Sequence, residues 1–274
     1  MLGEGCYRVF GVMLIDTHSH IYEPEFDLDR AEALQRCVEH DVGLLMLPAI
    51  DGESYDRMFD LARQYPQMVR PMMGLHPTSV NENPNWQRDL AQVEEFLKNP
   101  PQGIEHFWGV GEIGLDFYWS NDYREEQIAA FEAQIEMALR YDLPIVVHTR
   151  NAWTEMCEVM ERFADRGVRG VFHAFSDDVE CYHRLKRCGD FLFGVGGVVT
   201  FKKSKLAEVV KQMELTDILL ETDCPYLTPV PHRGERNESS YVRFVCAKIA
   251  ELKEVDYQVV AEQTTVNAKR IFKL

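Results

Sequence analysis

The chain has 274 residues, 46% of them apolar and 27% charged, which is enough to bury one large core or two modest ones and too apolar for extended disorder. Its 45 acidic and 29 basic side chains give a formal net charge of -16, which opposes a general electrostatic grip on nucleic acid and requires any such contact to be local. No apolar run reaches the ~20 residues of a membrane helix, and seven cysteines without a C-x-x-C pair read as thiols in a reducing compartment, not as a disulfide or zinc framework.

Residues 1–12 carry Glu4 instead of a basic start and lack a sustained apolar stretch, so no secretory signal is read and a cytoplasmic location is expected. Met13 opens M-L-I-D-T-H and is expected to be a translation start, making residues 1–12 an extension ahead of one domain over 13–274. Short β-rich runs follow at 13–16, 43–48, 69–74, 107–111, 145–147, 170–172, 191–195 and 218–220. Segments with apolar residues at helical spacing separate them. One contains Ile128, Phe131, Ile135 and Leu139, with Asp122 and Glu125 as its start signal. The connection over 78–106 holds a helical piece near 86–97, and a second insertion covers 225–238. Cys37, Cys157, Cys181, Cys188 and Cys246 fall in helix-like stretches and read as buried small apolar side chains. Eight strand and helix units in about 250 residues, with strands apolar on both faces, favour an α/β fold of (β/α)8 TIM-barrel type, with its site at the C-terminal ends of the strands. An open doubly wound sheet is the alternative, but no glycine-rich dinucleotide loop follows the first strand.

His18 and His20 stand two apart at the end of an extended run, where strand geometry puts both on one face. Glu112 follows F-W-G-V-G, His148 follows P-I-V-V, His173 follows G-V-F and Asp223 follows I-L-L-E-T, so each occupies the end of an expected strand. Any one of them is more simply a structural hydrogen-bonding group; the set is not. Imidazoles and carboxylates in this number suit two divalent cations, with His18, His20 and Asp223 on one, His148 and His173 on the other, and Glu112 bridging. Mixed nitrogen and oxygen ligands do not distinguish magnesium, manganese, zinc or nickel. The expected reaction is hydrolysis by a hydroxide that the two cations activate, with Asp223 and Glu112 as catalytic groups.

His76, in G-L-H-P, faces the same rim and reads as a substrate contact, although a structural histidine fits equally well. Arg150 and Arg233 offer forked donors suited to phosphate, or to a carboxylate such as Glu221 or Glu235. Lys202, Lys203, Lys205 and Arg236 are further candidates for local positive charge. Phe117, Tyr118 and Trp119 follow Glu112 and suit either base stacking or packing. His40, His106 and His183 read as surface residues, and His232 as ambiguous.

D-T-H-S-H at 16–20, G-L-H-P at 74–77, G-E-I-G-L-D at 111–116, L-P-I-V-V-H-T-R at 143–150, H-A-F-S at 173–176, E-T-D-C-P-Y-L-T-P at 221–229 and R-G-E-R-N at 233–237 occur in one order along nearly the whole chain from Met13. In this the sequence resembles the TatD family of metal-dependent deoxyribonucleases, within the amidohydrolase-like barrels. The resemblance implies a (β/α) barrel whose paired metals hydrolyse DNA phosphodiester bonds, typically from the 3′ end. It implies the same six ligands, with DNA ends or short oligonucleotides as the partner. Asp177 stands where the family usually has glycine and Ser239 where it usually has proline; both are expected near the substrate rim. No membrane association is expected, and no protein partner is readable.

Two other readings keep the barrel. A metal-dependent amidohydrolase, lactonase or phosphotriesterase-like enzyme is disfavoured because many such barrels bridge their metals with a modified lysine, and no strand-end lysine competes with Glu112. A non-catalytic, metal-stabilised binding module is disfavoured by a complete ligand set with an open water position.

Overall fold

The computed structural model describes residues 12–274, so nearly all of the expected extension over 1–12 lies outside the described residues. Eight strands are present: β1 (Leu14–Asp16), β2 (Val42–Leu47), β3 (Val69–Pro71), β4 (Val110–Asp116), β5 (Ile145–Arg150), β6 (Arg169–Phe172), β7 (Asp190–Val195) and β8 (Ile218–Leu220). Each is followed by a helix, in order α1 (Arg30–Glu39), α2 (Tyr55–Gln64), α3 (Trp86–Lys98), α4 (Arg124–Tyr141), α5 (Trp153–Arg162), α6 (Val179–Lys186), α7 (Leu206–Gln212) and α8 (Val242–Lys253), and α9 (Tyr257–Phe272) ends the chain.

All ladder pairs are parallel, in the orders β1-β2-β3 and β4-β5-β6-β7-β8. Two seams join these sheets. Met73 bridges Val110, with the Met73 N–H donating to Gly109 O at 3.1 Å and the Gly111 N–H to Met73 O at 3.0 Å. Ser19 bridges Cys224, and the Thr17 N–H donates to Leu220 O at 3.0 Å. The sheet therefore closes on itself, and the fold is a (β/α)8 barrel, not an open sheet.

Closure explains the sequence pattern. A strand covered by helices outside and by side chains inside is buried on both faces, as β4 is at all seven positions. Inside the barrel, Ile15, Met46, Met72, Val146, Val171, Leu192 and Leu219 form an apolar plug, which Ala268, Ile271 and Phe272 of α9 complete. The buried helix faces and outward strand residues form the larger core around it.

Three expectations are corrected. The fourth strand, expected at 107–111, is Val110–Asp116, because Glu112 and Asp116 are buried with partners and extend the strand instead of ending it. The third strand stops at Pro71, with Met73 pairing only as a bridge. Helix α4 begins at Arg124 with Tyr123, not Asp122, at the N-cap position, so the expected start signal makes no side-chain cap. The five helix-region cysteines are buried and free, as is Cys224; Cys188 sits just beyond α6. Among the described residues no helix is long and apolar enough to cross a membrane.

Candidate metal centre

The chain leaving β1 bends at Thr17 and His18 and is pinned where Ser19 bridges Cys224 beyond β8, which leaves the His18 and His20 Nε2 atoms 3.1 Å apart. Beneath them the Asp16 carboxylate fastens the two strand ends together. Its Oδ2 accepts from Thr222 Oγ1 at 2.6 Å, and its Oδ1 from the Thr222 N–H at 2.9 Å. Burial pushes Asp16 up to about 7 in spite of these bonds. The Tyr22 hydroxyl donates to Pro48 O at 2.6 Å, so it accepts from His20 Nδ1 at 2.9 Å. That contact assigns the His20 tautomer and turns Nε2 toward the centre.

Glu112 joins the two halves. Its Oε2 lies 3.1 Å from His18 Nε2 and 3.4 Å from His20 Nε2, while its Oε1 lies 2.8 Å from His173 Nε2, 2.9 Å from His148 Nδ1 and 3.4 Å from His76 Nε2. Asp223 Oδ1 is 3.7 Å from His18 Nε2 and 3.5 Å from His20 Nε2. The His18 and His173 rings stack at 3.7 Å. His148 is held from outside by Asp116 Oδ2, 3.0 Å from Nε2. Glu221 accepts the Ala174 N–H at 2.6 Å and lies 3.7 Å from His173 Nδ1. Gly194 makes room for Glu221, since a Cβ there would fall 2.0 Å from its Oε2.

Burial is the largest influence on every group here, and the neighbours decide the outcome. It drives His18 and His76 toward the neutral form. For His20 burial is overcome by hydrogen bonds with Asp223 and Glu112, which raise it to about 9; carboxylates also raise His148 and His173. Glu112 and Asp223 are held below the usual carboxylate range by these imidazoles, against burial.

The donor set fits cations. Three groups, His18 with His20 and Glu112, His18 with His173 and Glu221, and His76 with Glu112 and His148, each bring their ligand atoms within 4.8 Å of one another. His18 Nδ1, His173 Nδ1 and Glu221 Oε2 are buried without a partner. Imidazole nitrogens 3.1 Å and 3.3 Å apart aim lone pairs at common points, which a divalent ion satisfies and a packed core does not.

The six expected ligand residues thus meet in one cluster. His76 joins it, with Nδ1 2.6 Å from Thr78 Oγ1, and is not confined to the rim. A cleft of about 640 Å³ opens above, lined in part by His76, His148, Arg150, His173, Trp119 and Asp223. Among the described residues Arg150 is its sole lining arginine and no lysine lines it. Arg233 is not brought there: it stacks on Phe201 at 3.8 Å and donates to Thr228 O at 3.4 Å. Arg236 is committed to Asp29 at 2.6 Å, and Lys202, Lys203 and Lys205 are exposed outside the lining. Ser239, expected near the rim, is buried below it against Ser19 Oγ at 2.8 Å, and Asp177 is half-buried beside the lining residue Ser176. His40 contacts Arg243, His106 stacks near Trp108, and His232 packs on Tyr241 and meets Glu235 at 2.9 Å, so none belongs to the cluster.

Tyr22, Asp116 and Glu221 escaped the sequence reading as parts of the site. Each stands two or four positions from an expected ligand, Tyr22 from His20, Asp116 from Glu112 and Glu221 from Asp223, but a bend at His18, a turn at Tyr22, an irregularity in β4 and the left-handed Asp223 break simple strand alternation there.

A family model described as TatD related DNase matches residues 15–273. The chain is 34% identical over 263 residues to the uncharacterized metal-dependent hydrolase YabD of Bacillus subtilis, covering 96% of this chain and all of that one. It is 29% identical to the human deoxyribonuclease TATDN3, covering 97% of this chain and 96% of that one. The crystal structure of YjjV, a TatD homologue from Escherichia coli, superposes with a TM-score of 0.85 at 30% identity, covering 95% of this chain and 98% of the other. The chain belongs to the TatD family and is a metal-dependent hydrolase of that family.

Proposed function

We propose that the protein is a deoxyribonuclease that hydrolyses DNA phosphodiester bonds from the 3′ end, using two divalent cations. The observation that carries the reading is the split environment of Glu112, whose Oε2 faces His18 and His20 while its Oε1 faces His148 and His173. One carboxylate shared between two sets of imidazoles is the arrangement a pair of ions requires. His18, His20 and Asp223 would hold one cation, His148 and His173 the other, with Glu112 between them. Bound there, the cations lower the pKa of a water and offset charge building on the phosphoryl oxygens.

The chain's own groups orient the reaction. Asp223 lines the cleft with Oδ1 turned to His20, and its carboxylate would orient or deprotonate the attacking water. Tyr22 and Asp116 hold His20 and His148 in register, so the ligand set is preorganised. His76 and Arg150, both in the lining, contact the phosphate. Among the described residues no lysine lines the cleft, so the modified-lysine bridge that many amidohydrolase and lactonase barrels use has no counterpart here, which disfavours that reading.

The test uses chelator-stripped protein reloaded separately with magnesium, manganese, zinc or nickel and given DNA labelled at either end. Metal-dependent release of mononucleotides from the 3′ end is expected. DNA left intact with every metal, alongside turnover of a lactone or carboxylic ester, overturns the reading.

A further inference from the structure

Four aromatic side chains among the described residues are strongly exposed; two of them, Trp119 and Tyr226, line the cleft, and a third, Tyr118, packs against Trp119. Trp119 is 68% exposed, an unusual state for the largest apolar side chain unless something covers it. It meets Tyr118 edge-on at 4.9 Å, and the Arg150 guanidinium lies 3.5 Å from the Tyr118 ring centroid. Arg150, at the end of β5, thus braces Tyr118, whose ring in turn braces the exposed Trp119 indole on the loop after β4. Tyr226, 51% exposed, lines the cleft from the loop after β8.

Charge says what this surface is for. Among the described residues the cleft lining has one arginine and no lysine, and its carboxylates are engaged by imidazoles, Glu112 by His148 and His173, Asp116 by His148 and Asp223 by His20. A polyanionic backbone finds little fixed positive charge to hold it outside the cation centre. A nucleobase, by contrast, offers an uncharged π-face that stacks on an indole whatever the base identity.

We infer that Trp119, supported by Tyr118 and Arg150, is a stacking subsite for the nucleobase next to the scissile phosphate, and that it adds affinity beyond the few phosphate contacts that the cation centre, His76 and Arg150 supply. The inference rests on the nuclease reading and names how that site recognises its substrate.

The test compares metal-loaded enzyme on two oligonucleotides identical except that one carries an abasic residue beside the scissile bond. Wild-type protein is expected to prefer the intact end by roughly tenfold or more in kcat/KM, the preference residing mainly in KM. Trp119→Ala should bring the ratio close to one, while Trp119→Phe, which keeps a ring, should retain most of it. The dependence of log KM on log salt should have a slope of about 0.7 or less, as for a single phosphate contact on a single strand. Fluorescence polarisation with the same labelled oligonucleotides reports binding without turnover. Equal affinity of wild-type protein for intact and abasic ends, or an unchanged ratio in Trp119→Ala, overturns the subsite. Failure of every oligonucleotide to be cleaved while base-dependent binding persists overturns the nuclease reading and leaves the subsite standing.

Discussion

The lower and upper halves of the barrel interior are made by the same strands, two residues apart, and they are chemical opposites. Val146 and His148 follow one another on the inner face of β5, as Val171 and His173 do through β6, Leu192 and Gly194 on β7, and Leu219 and Glu221 through β8. One pleat separates a plug that excludes water from a layer of imidazoles and carboxylates. The plug is stable because every surface in it is apolar and α9 covers it. The upper layer tolerates buried ionisable groups because each faces another, with Glu112 and Asp223 offsetting His18, His20, His148 and His173. The contrast assigns stability to one layer and chemistry to the other, and a mutation should move one property without the other.

The sharpest break is Glu112→Gln. The amide supplies one acceptor oxygen where Glu112 supplies two to opposite sides of the cluster. Metal content measured by elemental analysis should fall, and phosphodiester hydrolysis should drop well beyond the roughly 100-fold typical of losing an outer hydrogen-bond partner. A variant retaining both metal and turnover would show that the two halves of the cluster are independent. The converse change is Leu219→Ala, which opens a cavity in the plug and should lower stability by about 2–5 kcal/mol in urea unfolding. Its metal content at 25 °C should match the wild type; loss of metal in proportion to stability would dissolve the distinction between layers.

The sequence made this layering half legible. All eight strands could be read because doubly buried strands appear as apolar runs, and the six residues that meet in the cluster because each follows or ends such a run. The reading failed where a polar residue lies inside a strand: Glu112 and Asp116 made β4 look shorter than it is, and Asp116 was not connected to His148. It failed again for the cations, since sequence gives charge but not its distant partner. Arg236 meets an aspartate 207 positions away, and Arg233 packs on Phe201 outside the cleft. Exposure of Trp119 was equally hidden, because an aromatic after a strand reads the same whether it packs or protrudes.

Protons offer a gentler probe of the upper layer. In metal-free protein His20 is raised from 6.5 to about 9, so it binds a proton more tightly folded than unfolded. Its contribution to stability is therefore complete below pH 6.5 and is lost as the pH rises through 9, by at most about 3 kcal/mol. Urea midpoints of chelator-treated protein should fall between pH 6.5 and 9.5, and added divalent metal, which takes the place of that proton, should reverse the fall. Metal affinity should weaken over the same range as the pH is lowered. A midpoint that rises with pH in the absence of metal would contradict the assigned contacts of His20.

The smallest of these effects isolates one hydrogen bond. Asp116 Oδ2 accepts from His148 Nε2 at 3.0 Å, while its Oδ1 accepts from the Tyr118 N–H at 3.0 Å. With the proton on Nε2, the His148 Nδ1 that faces Glu112 presents a lone pair. In Asp116→Asn the side-chain oxygen can still serve Tyr118, which turns the amide NH2 toward Nε2. His148 must then accept at Nε2 and carry its proton on Nδ1, where a cation would sit. Metal affinity should fall about 10- to 100-fold by competition titration, and nitrogen NMR of His148 should report the exchanged tautomer. The plug lies below this contact, so the urea midpoint of the metal-free variant should move little. Weaker metal binding with the original tautomer intact would mean that Asp116 acts through its charge alone, and unchanged binding would mean that it only packs.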